Sequence, residues 1–554
     1  EWAWNERTTR VEPALYLRDK YTSDALNLRD SDHNDHMKRL YDFQVIGREF
    51  LAVAGDCLIG DEMGLGKTVQ VLTGLRRVEE RTGVSALPAL VVCPNSIKDQ
   101  WAERAEEWLP EATPYVVRGS AKERREVLAR AKEDPGALVI VNIEAVRLLS
   151  RLAGYGSIRL QKCRECDPEN GDERINAARC EMHHKELNDF SFKTCVLDEA
   201  HRVKDPKAKQ TRAIWYVFHQ PTVKRRWALT GTPIANHPGE LWSTMHAVCP
   251  EEFPVKSKFL DRYAMMSWNA FGGMDVVGLR LDTREELFKF FDPRFRRMTK
   301  TLVLSQLPPK TRIVHKVEMT PKQRKAYSEM ETGNVSYLDT GELLVARTNL
   351  TARTRLLQLA SSYCDVEKPD PDDPTTWTVE MREPSPKVDA LLELLDDLKA
   401  YDVGGPSVVV ASEQRKLLEL ASARLTKEKL DHTLITGAVS DAQRSINLAR
   451  FQRGDVPLLM FTYKAGGVGL DMTRASVMIR LQRSWSFVDN KQGEDRVHRI
   501  GSERHTSITI IDVVTSGTVE EVQMRRLAEK LRRLEEINRD RERLVAAGVA
   551  TTEL

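Results

Sequence analysis

The sequence contains no run approaching the ~18 apolar residues that a bilayer-spanning helix needs, and no N-terminal apolar stretch that ends in a small-residue cleavage site. Neither a membrane protein nor a secreted one is expected. An excess of one charge is also missing: 84 Lys and Arg against 82 Asp and Glu leave +2. The chain is therefore no polycation, and any grip on nucleic acid must come from a local basic groove. Cysteine is scarce, eight in 554 residues, which excludes a disulfide scaffold. With 41% hydrophobic and 30% charged residues, the composition also argues against wholesale disorder. At roughly 150 residues per domain, the length suggests three or four compact units. The chain opens at Glu1 rather than Met, which leaves open whether its N-terminus is complete.

Short apolar runs alternate with amphipathic stretches. Leu90–Cys93, Leu138–Val141 and Thr194–Leu197, then Val408–Val410, Leu458–Phe461, Val477–Ile479 and Ile508–Val513, are continuous apolar segments with loop or polar flanks. That is the pattern of strands buried on both faces of a parallel sheet. Helical periodicity fills the intervals, as over Ser96–Trp108 and Ala121–Lys132. The expected fold class is α/β, with two doubly wound parallel-sheet lobes whose ligands sit beyond the carboxyl ends of the strands. An N-terminal extension over 1–36 precedes lobe one at 37–300, and lobe two spans 385–518. From about 240 to 380 the pattern reads as mostly helical, with 301–384 a helical insertion and hinge. Glu367–Pro386, rich in Pro and Asp, reads as a linker or long surface loop. Interleaved charges mark a C-terminal helix in 519–554.

Two motifs carry chemistry. Asp61-Glu62-Met63-Gly64-Leu65-Gly66-Lys67-Thr68 follows the apolar Cys57–Ile59 and opens an amphipathic helix. Its glycines let backbone N–H groups approach a phosphate chain, and the helix presents its positive end. Lys67 would reach the β- and γ-phosphates, and the Thr68 hydroxyl would ligate Mg²⁺. The strict pattern wants glycine where Asp61 stands. Asp198-Glu199-Ala200-His201 directly follows Cys195–Leu197, so a strand would deliver it beside that loop. Asp198 would hold the magnesium ion, and Glu199 would orient and deprotonate the attacking water. ATP and Mg²⁺ are the expected cofactors.

With these motifs in this order, the sequence resembles the Swi/Snf-type ATPases, DNA translocases of helicase superfamily two with a DEAH box, over about Leu40 to Glu521. The resemblance implies RecA-like lobes. Leu40-Tyr41-Asp42-Phe43-Gln44 is similar to the adenine-reading Q motif, with Gln44 on the base, and 61–68 has the family's form, Asp61 included. Val92-Cys93-Pro94-Asn95-Ser96 and the nearby Gln100-Trp101 resemble the motif that touches the DNA backbone. Leu229-Thr230-Gly231-Thr232-Pro233-Ile234-Ala235-Asn236 and Glu240-Leu241-Trp242 resemble the one that couples nucleotide state to DNA grip. In lobe two, Ser385-Pro386-Lys387 resembles the family's entry, Lys464-Ala465-Gly466-Gly467-Val468-Gly469-Leu470 its motif V, and Gln492 through Gly501 its motif VI.

Arg496 and Arg499 lie three apart, so on a helix they share one face. There they would offer two guanidiniums to the γ-phosphate, a contribution of about 10³–10⁵ in rate. The implied catalytic set is Lys67, Asp198, Glu199, Arg496 and Arg499. The nucleotide would be held by Gln44, by Asp61 through Thr68 and by Asp198. Coupling and nucleic-acid contact would fall to Ser96, Thr230, Gly231, Thr232, Lys464, Gly466 and Gly467. Asp471 stands where relatives commonly carry Asn, placing a carboxylate near the expected DNA backbone.

Outside the family's common core, Cys163-x₂-Cys166 and Cys180-x₂-His183 (or His184) have the spacing of a tetrahedral zinc site, a knuckle within an insert over 158–190 of lobe one. The insert is expected to serve structure alone or to touch DNA or a partner protein. The resemblance implies a monomeric motor that moves along double-stranded DNA, gripped at its phosphates without regard to sequence. The rival readings are a strand-separating helicase and a non-hydrolysing scaffold acting through the zinc insert. No bromodomain- or chromodomain-like appendage is evident. That points to a cytoplasmic, nucleoid-associated place in a bacterium or virus rather than to a nucleus.

Overall fold

Buried strands need apolar side chains on both faces, and the apolar runs supply them. In the computed structural model they form two all-parallel sheets, one in a compact unit within Glu1–Ser305 and the other in a unit within Gln306–Glu535. The structure describes residues 4–5, 10–11, 40–155, 160–176, 180–183, 185–231, 239–268, 274–280, 282–291, 293–300, 307–338, 343–346, 348–367, 378–466, 470–499, 501–529 and 532. Among these, no helix is long and apolar enough to cross a membrane.

The first sheet comprises β1 (Cys57–Ile59), β2 (Ala89–Cys93), β3 (Thr113–Val116), β4 (Ala137–Asn142), β5 (Thr194–Asp198), β6 (Arg225–Leu229) and β7 (Phe295–Arg296). Their spatial order is β7-β1-β6-β5-β2-β4-β3. Parallel registers bring Ile59 beside Leu229 and Leu229 beside Asp198. The carboxyl ends of β1, β6 and β5 are therefore neighbours, although more than a hundred residues of chain separate the first from the others. Such a row of strand ends is where open α/β sheets bind ligands. The core packs Leu58, Val92, Val141 and Leu197 of the sheet with Trp215 and Trp242 of the helices Lys209–Phe218 and Gly239–Val248.

The second sheet comprises β8 (Lys310–Val317), β9 (Val408–Ser412), β10 (His432–Ile435), β11 (Leu458–Thr462), β12 (Val477–Arg480) and β13 (Ile508–Thr515), in the order β8-β13-β12-β9-β11-β10. The expectation of a helical insertion and hinge over 301–384 is corrected here, because β8 is an edge strand of this sheet, paired with β13 over its whole length. Basic residues interleave with apolar ones in β8 and most of it is exposed, so it lacks the continuous apolar signal of the inner strands. Two helices follow, Pro321–Gly333 and Asn349–Ser361. Within Glu367–Pro386, Thr378–Arg382 is a strand that pairs antiparallel with Tyr363–Glu367, and 368–377 lie outside the described residues. Likewise, the aromatic-rich stretch after 240 includes the antiparallel pair Ala264–Trp268 and Met274–Leu279 among its helices.

Ser385-Pro386-Lys387 has a local explanation. Ser385 Oγ accepts the Val388 N–H at 3.3 Å, and proline opens the helix Pro386–Asp397, whose first-turn N–H groups have no helical partner anyway. Lys387 is fully buried, its ammonium donating to the carbonyls of Leu481 and Val513 and to the Glu520 carboxylate. Glu520 lies on the C-terminal helix, described over 519–529. Burial lowers the Lys387 pKa, and Glu520 opposes that shift.

Candidate nucleotide site

The phosphate loop runs from β1 into the helix Lys67–Thr82. Gly66 caps that helix at φ 70°, ψ 39°, a left-handed conformation in which an added Cβ would also fall 2.3 Å from Gln44 Nε2. Lys67 Nζ donates to the carbonyls of Asp61 at 2.8 Å and Glu62 at 3.3 Å, so it lies within the loop's own curve. Thr68, at the second helical position, is half-buried. Gln44, expected on the adenine, has both ends of its amide engaged by the protein: Nε2 donates to Leu65 O at 3.3 Å and Oε1 accepts Tyr41 N–H at 3.1 Å. Its position is that of a strut beneath the loop.

Asp61 also departs from its expected role as a nucleotide ligand. Its side chain is wholly buried and belongs to the protein. Arg296 and Gln70 donate to Oδ2, and Met298 N–H donates to Oδ1 at 2.9 Å. Arg296 in turn reaches Gln70 Oε1 at 2.9 Å and Phe43 O at 2.6 Å. The aspartate at the first loop position thus ties the loop to β7 and to the helix Asp42–Ala54. No sequence signal pointed to Arg296, which lies 235 residues from Asp61.

Asp198 ends β5, and Glu199 follows at φ 51°, a left-handed conformation uncommon for a residue other than glycine. Asp198 Oδ1 accepts the Glu199 N–H at 2.8 Å, and Oδ2 accepts the indole N–H of Trp101 at 3.0 Å. Trp101 is therefore not on a DNA-facing surface, as its motif implied. It is buried, on the helix Lys98–Trp108, and orients the carboxylate. Burial, with the Glu199 charge behind it, pushes the Asp198 pKa up to about 6, while Trp101 and Lys67 pull it down. Each Asp198 oxygen has one protein donor and a further lone pair, and with the Thr68 hydroxyl these are oxygen donors of the kind magnesium takes. His201 Nδ1 lies 3.3 Å from Glu199 Oε2 and 3.1 Å from the buried Thr230 Oγ1 at the end of β6. That chain links the water-activating candidate to the coupling motif. Met63 lies against Gly231, while Thr232 falls outside the described residues. Ser96 is exposed in the turn Asn95–Ile97 after β2.

In the second unit, Lys464 is exposed on the short helix Tyr463–Gly466 that leaves β11. Gly467 falls outside the described residues. Asp471 turns its carboxylate back to accept Thr473 N–H at 3.2 Å, which gives it a local backbone role. The shared helical face expected for Arg496 and Arg499 is corrected, because the helix Phe487–Val497 ends between them at His498, φ −101° and ψ 84°. The turn is fixed from outside the helix: His498 Nε2 lies 2.9 Å from Pro308 O, and Arg496 O accepts Met472 N–H at 3.0 Å. The helix itself is pinned through buried Glu494, which accepts from Arg480 at 2.8 Å and Arg312 at 2.6 Å.

Of the metal-ligand candidates, Cys163, Cys166 and His183 bring their donor atoms within 4.8 Å of one another. Cys180 lies beside them, its Sγ accepting the Cys163 N–H at 3.4 Å. His184 lies outside the described residues.

Comparison with known proteins agrees with the motif order. Residues 30–363 match the profile of the SNF2-related domain, and 386–501 that of the helicase conserved C-terminal domain. The Chromodomain-helicase-DNA-binding protein 1-like of Danio rerio is 26% identical over 482 residues, covering 86% of this chain and 41% of that protein. The ISWI chromatin-remodeling complex ATPase ISW1 of Saccharomyces cerevisiae is 25% identical over 487 residues, covering 86% and 38%. The chain thus spans about two fifths of the length of the curated relatives it matches. A solved Sulfolobus solfataricus SWI2/SNF2 ATPase core in complex with dsDNA aligns over 91% of this chain and 94% of its own, with 21% identity and a TM-score of 0.39. The expectation of a bacterial or viral cytoplasmic setting is overturned by the relatives, since those from Saccharomyces cerevisiae and fission yeast are named for chromatin remodelling and one from rice for excision repair. Because the SNF2-related profile covers well over half of its residues, the chain belongs to the SNF2-related family.

Proposed function

We propose that the chain is a DNA-dependent ATPase that uses ATP hydrolysis to move along double-stranded DNA and so to remodel or displace what is bound there. One observation carries the reading: the phosphate loop, the Asp198–Glu199 pair and Thr230 converge at the carboxyl ends of adjacent strands β1, β5 and β6. Backbone N–H groups of 64–67 and the Lys67 ammonium would cradle the β- and γ-phosphates, with Lys67 exchanging the carbonyls of Asp61 and Glu62 for phosphate oxygens. Magnesium, when bound by Thr68 and Asp198, would offset phosphate charge. Glu199 would take the proton of the attacking water, and Arg496 and Arg499 would stabilise charge on the transferred phosphoryl group. Through His201, a change at Glu199 would reach Thr230 and from there the DNA-gripping segments. Ser96, Lys464 and the neighbouring backbone are the assigned phosphate contacts, so binding would be insensitive to sequence and would weaken steeply with salt. We take the working unit to be one chain, and we assign zinc to the cluster of Cys163, Cys166, Cys180 and His183.

The test is steady-state ATP hydrolysis by the purified chain, alone and with duplex DNA, single-stranded DNA or RNA, over a salt series. Strong stimulation by duplex, fading with salt and abolished in Lys67→Ala and Glu199→Gln, is the expected outcome. Equal or greater stimulation by single strands would favour a strand-separating helicase. No hydrolysis under any condition would overturn the motor reading.

A further inference from the structure

The described residues of the insert between helix Ile143–Leu149 and β5 bury Leu152, Leu187, Phe190 and Phe192 in the core of the first unit, while 161–176 and 180–183 are mostly polar loop. In that loop the pair Cys163 and Cys166 meets Cys180 and His183. Cys166 and Asp167 donate their N–H groups to Cys163 O at 3.2 and 3.0 Å, forming a tight turn. Gly171 closes that turn on Asp167 O, where an added Cβ would fall 2.4 Å from Cys163 O. Cys163 N–H points at Cys180 Sγ, 3.4 Å away, and Cys166 Sγ lies 3.6 Å from His183 Nδ1. Cys163 and Cys180 are buried, whereas Cys166 and His183 are only partly exposed. A tetrahedron with Zn–S bonds of about 2.3 Å has edges of roughly 3.8 Å, and the 3.6 Å between Cys166 Sγ and His183 Nδ1 is close to that. Three thiolates and one imidazole are a common structural zinc set.

Glu181 sits directly after ligand Cys180 and two residues before ligand His183, and it is buried. Its backbone N–H donates to Gln161 O at 2.9 Å, its carbonyl accepts Leu152 N–H at 3.3 Å, and its Oε2 accepts Gln161 N–H at 2.9 Å. Its other oxygen meets Lys209 Nζ at 2.7 Å, at the start of the helix that follows the Asp198–His201 motif. That helix also holds the root of the insert, since Arg212 Nε donates to Ala153 O at 2.8 Å and Ala153 N–H donates to Arg212 O at 3.0 Å. The metal cluster and the root of the insert thus meet at one glutamate.

We propose that Cys163, Cys166, Cys180 and His183 hold a single Zn²⁺, and that Glu181 is the positioning residue through which the bound metal fastens the insert to helix Lys209–Phe218. The role of Glu181 rests on the zinc assignment made above. Without metal, Glu181 loses the fixed neighbours on both sides that aim it at Lys209 and Gln161. Without Glu181, the ligands still converge, but the insert opens more often and the metal escapes faster.

Metal content by elemental analysis and zinc release to a chromogenic chelator test both halves on the full chain. The expected content is about one zinc per chain, lost in Cys166→Ser and His183→Ala and kept in His184→Ala. Glu181→Ala should keep its zinc but release it several-fold faster, with raised hydrogen exchange confined to 160–183. Re-addition of zinc to chelated wild-type chain should restore protection there, a readout that does not depend on any variant folding. A wild-type chain without zinc that takes up no cobalt in a tetrahedral spectrum would overturn the assignment and the proposal together. Loss of metal in His184→Ala but not in His183→Ala would overturn the ligand set. Zinc content and release both unchanged in Glu181→Ala would overturn the role of Glu181 alone.

Discussion

Asp61 and Trp101 show how a motif can mark a residue correctly while concealing what it does. Asp61 stands where phosphate loops commonly carry glycine, and restoring that glycine would leave Arg296 buried without its carboxylate. Removing one partner of a buried ion pair costs about 3–5 kcal/mol. Asp61→Gly is therefore expected to lower the urea midpoint of the first unit markedly and to bring no gain in nucleotide affinity. A variant as stable as its parent would contradict the anchoring role. Trp101→Phe keeps an aromatic ring, smaller than the indole, and removes the N–H that orients Asp198 Oδ2. Mn²⁺ affinity in the presence of a non-hydrolysable ATP analogue, read by electron paramagnetic resonance, should fall several-fold, and the Mg²⁺ needed for half-maximal hydrolysis should rise in step. Unchanged metal affinity would return Trp101 to a packing role. Local glycine patterns and acidic pairs announce chemistry in a sequence. Partners such as Arg296 for Asp61, or Trp101 for Asp198, are set by the sheet order, which no local window contains.

At the scale of elements, the inner strands were legible because burial on both faces demands unbroken apolar runs, as in Val408–Ser412 and Leu458–Thr462. Edge strand β8 and the arm Thr378–Arg382 were not, since a half-exposed strand mixes polar and apolar residues in ways that loops share. Nor was the end of the helix at Val497, which depends on the grip of Pro308 O on His498. The aromatic cluster of the first unit brings a pH dependence. His219 Nε2 lies 3.0 Å from His246 O, and the two rings meet edge to face at 5.2 Å. Burial, reinforced by His246, lowers the His219 pKa to about 4 from an ordinary 6.5. Between those values the unfolded chain binds the extra proton and the folded one does not, so stability is complete above pH 6.5 and is lost as pH falls toward 4. The loss amounts to about 3 kcal/mol at most. The Asp198 carboxyl, raised to about 6, works in the opposite sense over the lower part of that window, so the His219 contribution is read as the difference between wild type and His219→Gln, whose unfolding midpoints should converge as pH falls from 6.5 toward 4. A slope unaltered by the substitution would assign the acid sensitivity elsewhere.

Across the whole molecule, the legible feature was order: phosphate loop, acidic pair, coupling motif, and then motifs V and VI in a second sheet. Two strands more than a hundred residues apart lie side by side because the first sheet is doubly wound. The near-zero net charge of +2 was silent on this point, because a nucleic-acid grip is a matter of local phosphate contacts. The expectation of a bacterial or viral setting rested on an absence of appendages, and the chain spans only about two fifths of the length of the curated relatives it matches. The central claim is ATP-driven movement along duplex DNA. Displacement of a third strand from a DNA triplex, followed with wild-type chain and with Glu199→Gln, tests it most directly. The expected result is ATP-dependent displacement by the wild type and none by the variant. Rapid unwinding of a forked duplex with no triplex displacement would contradict the claim.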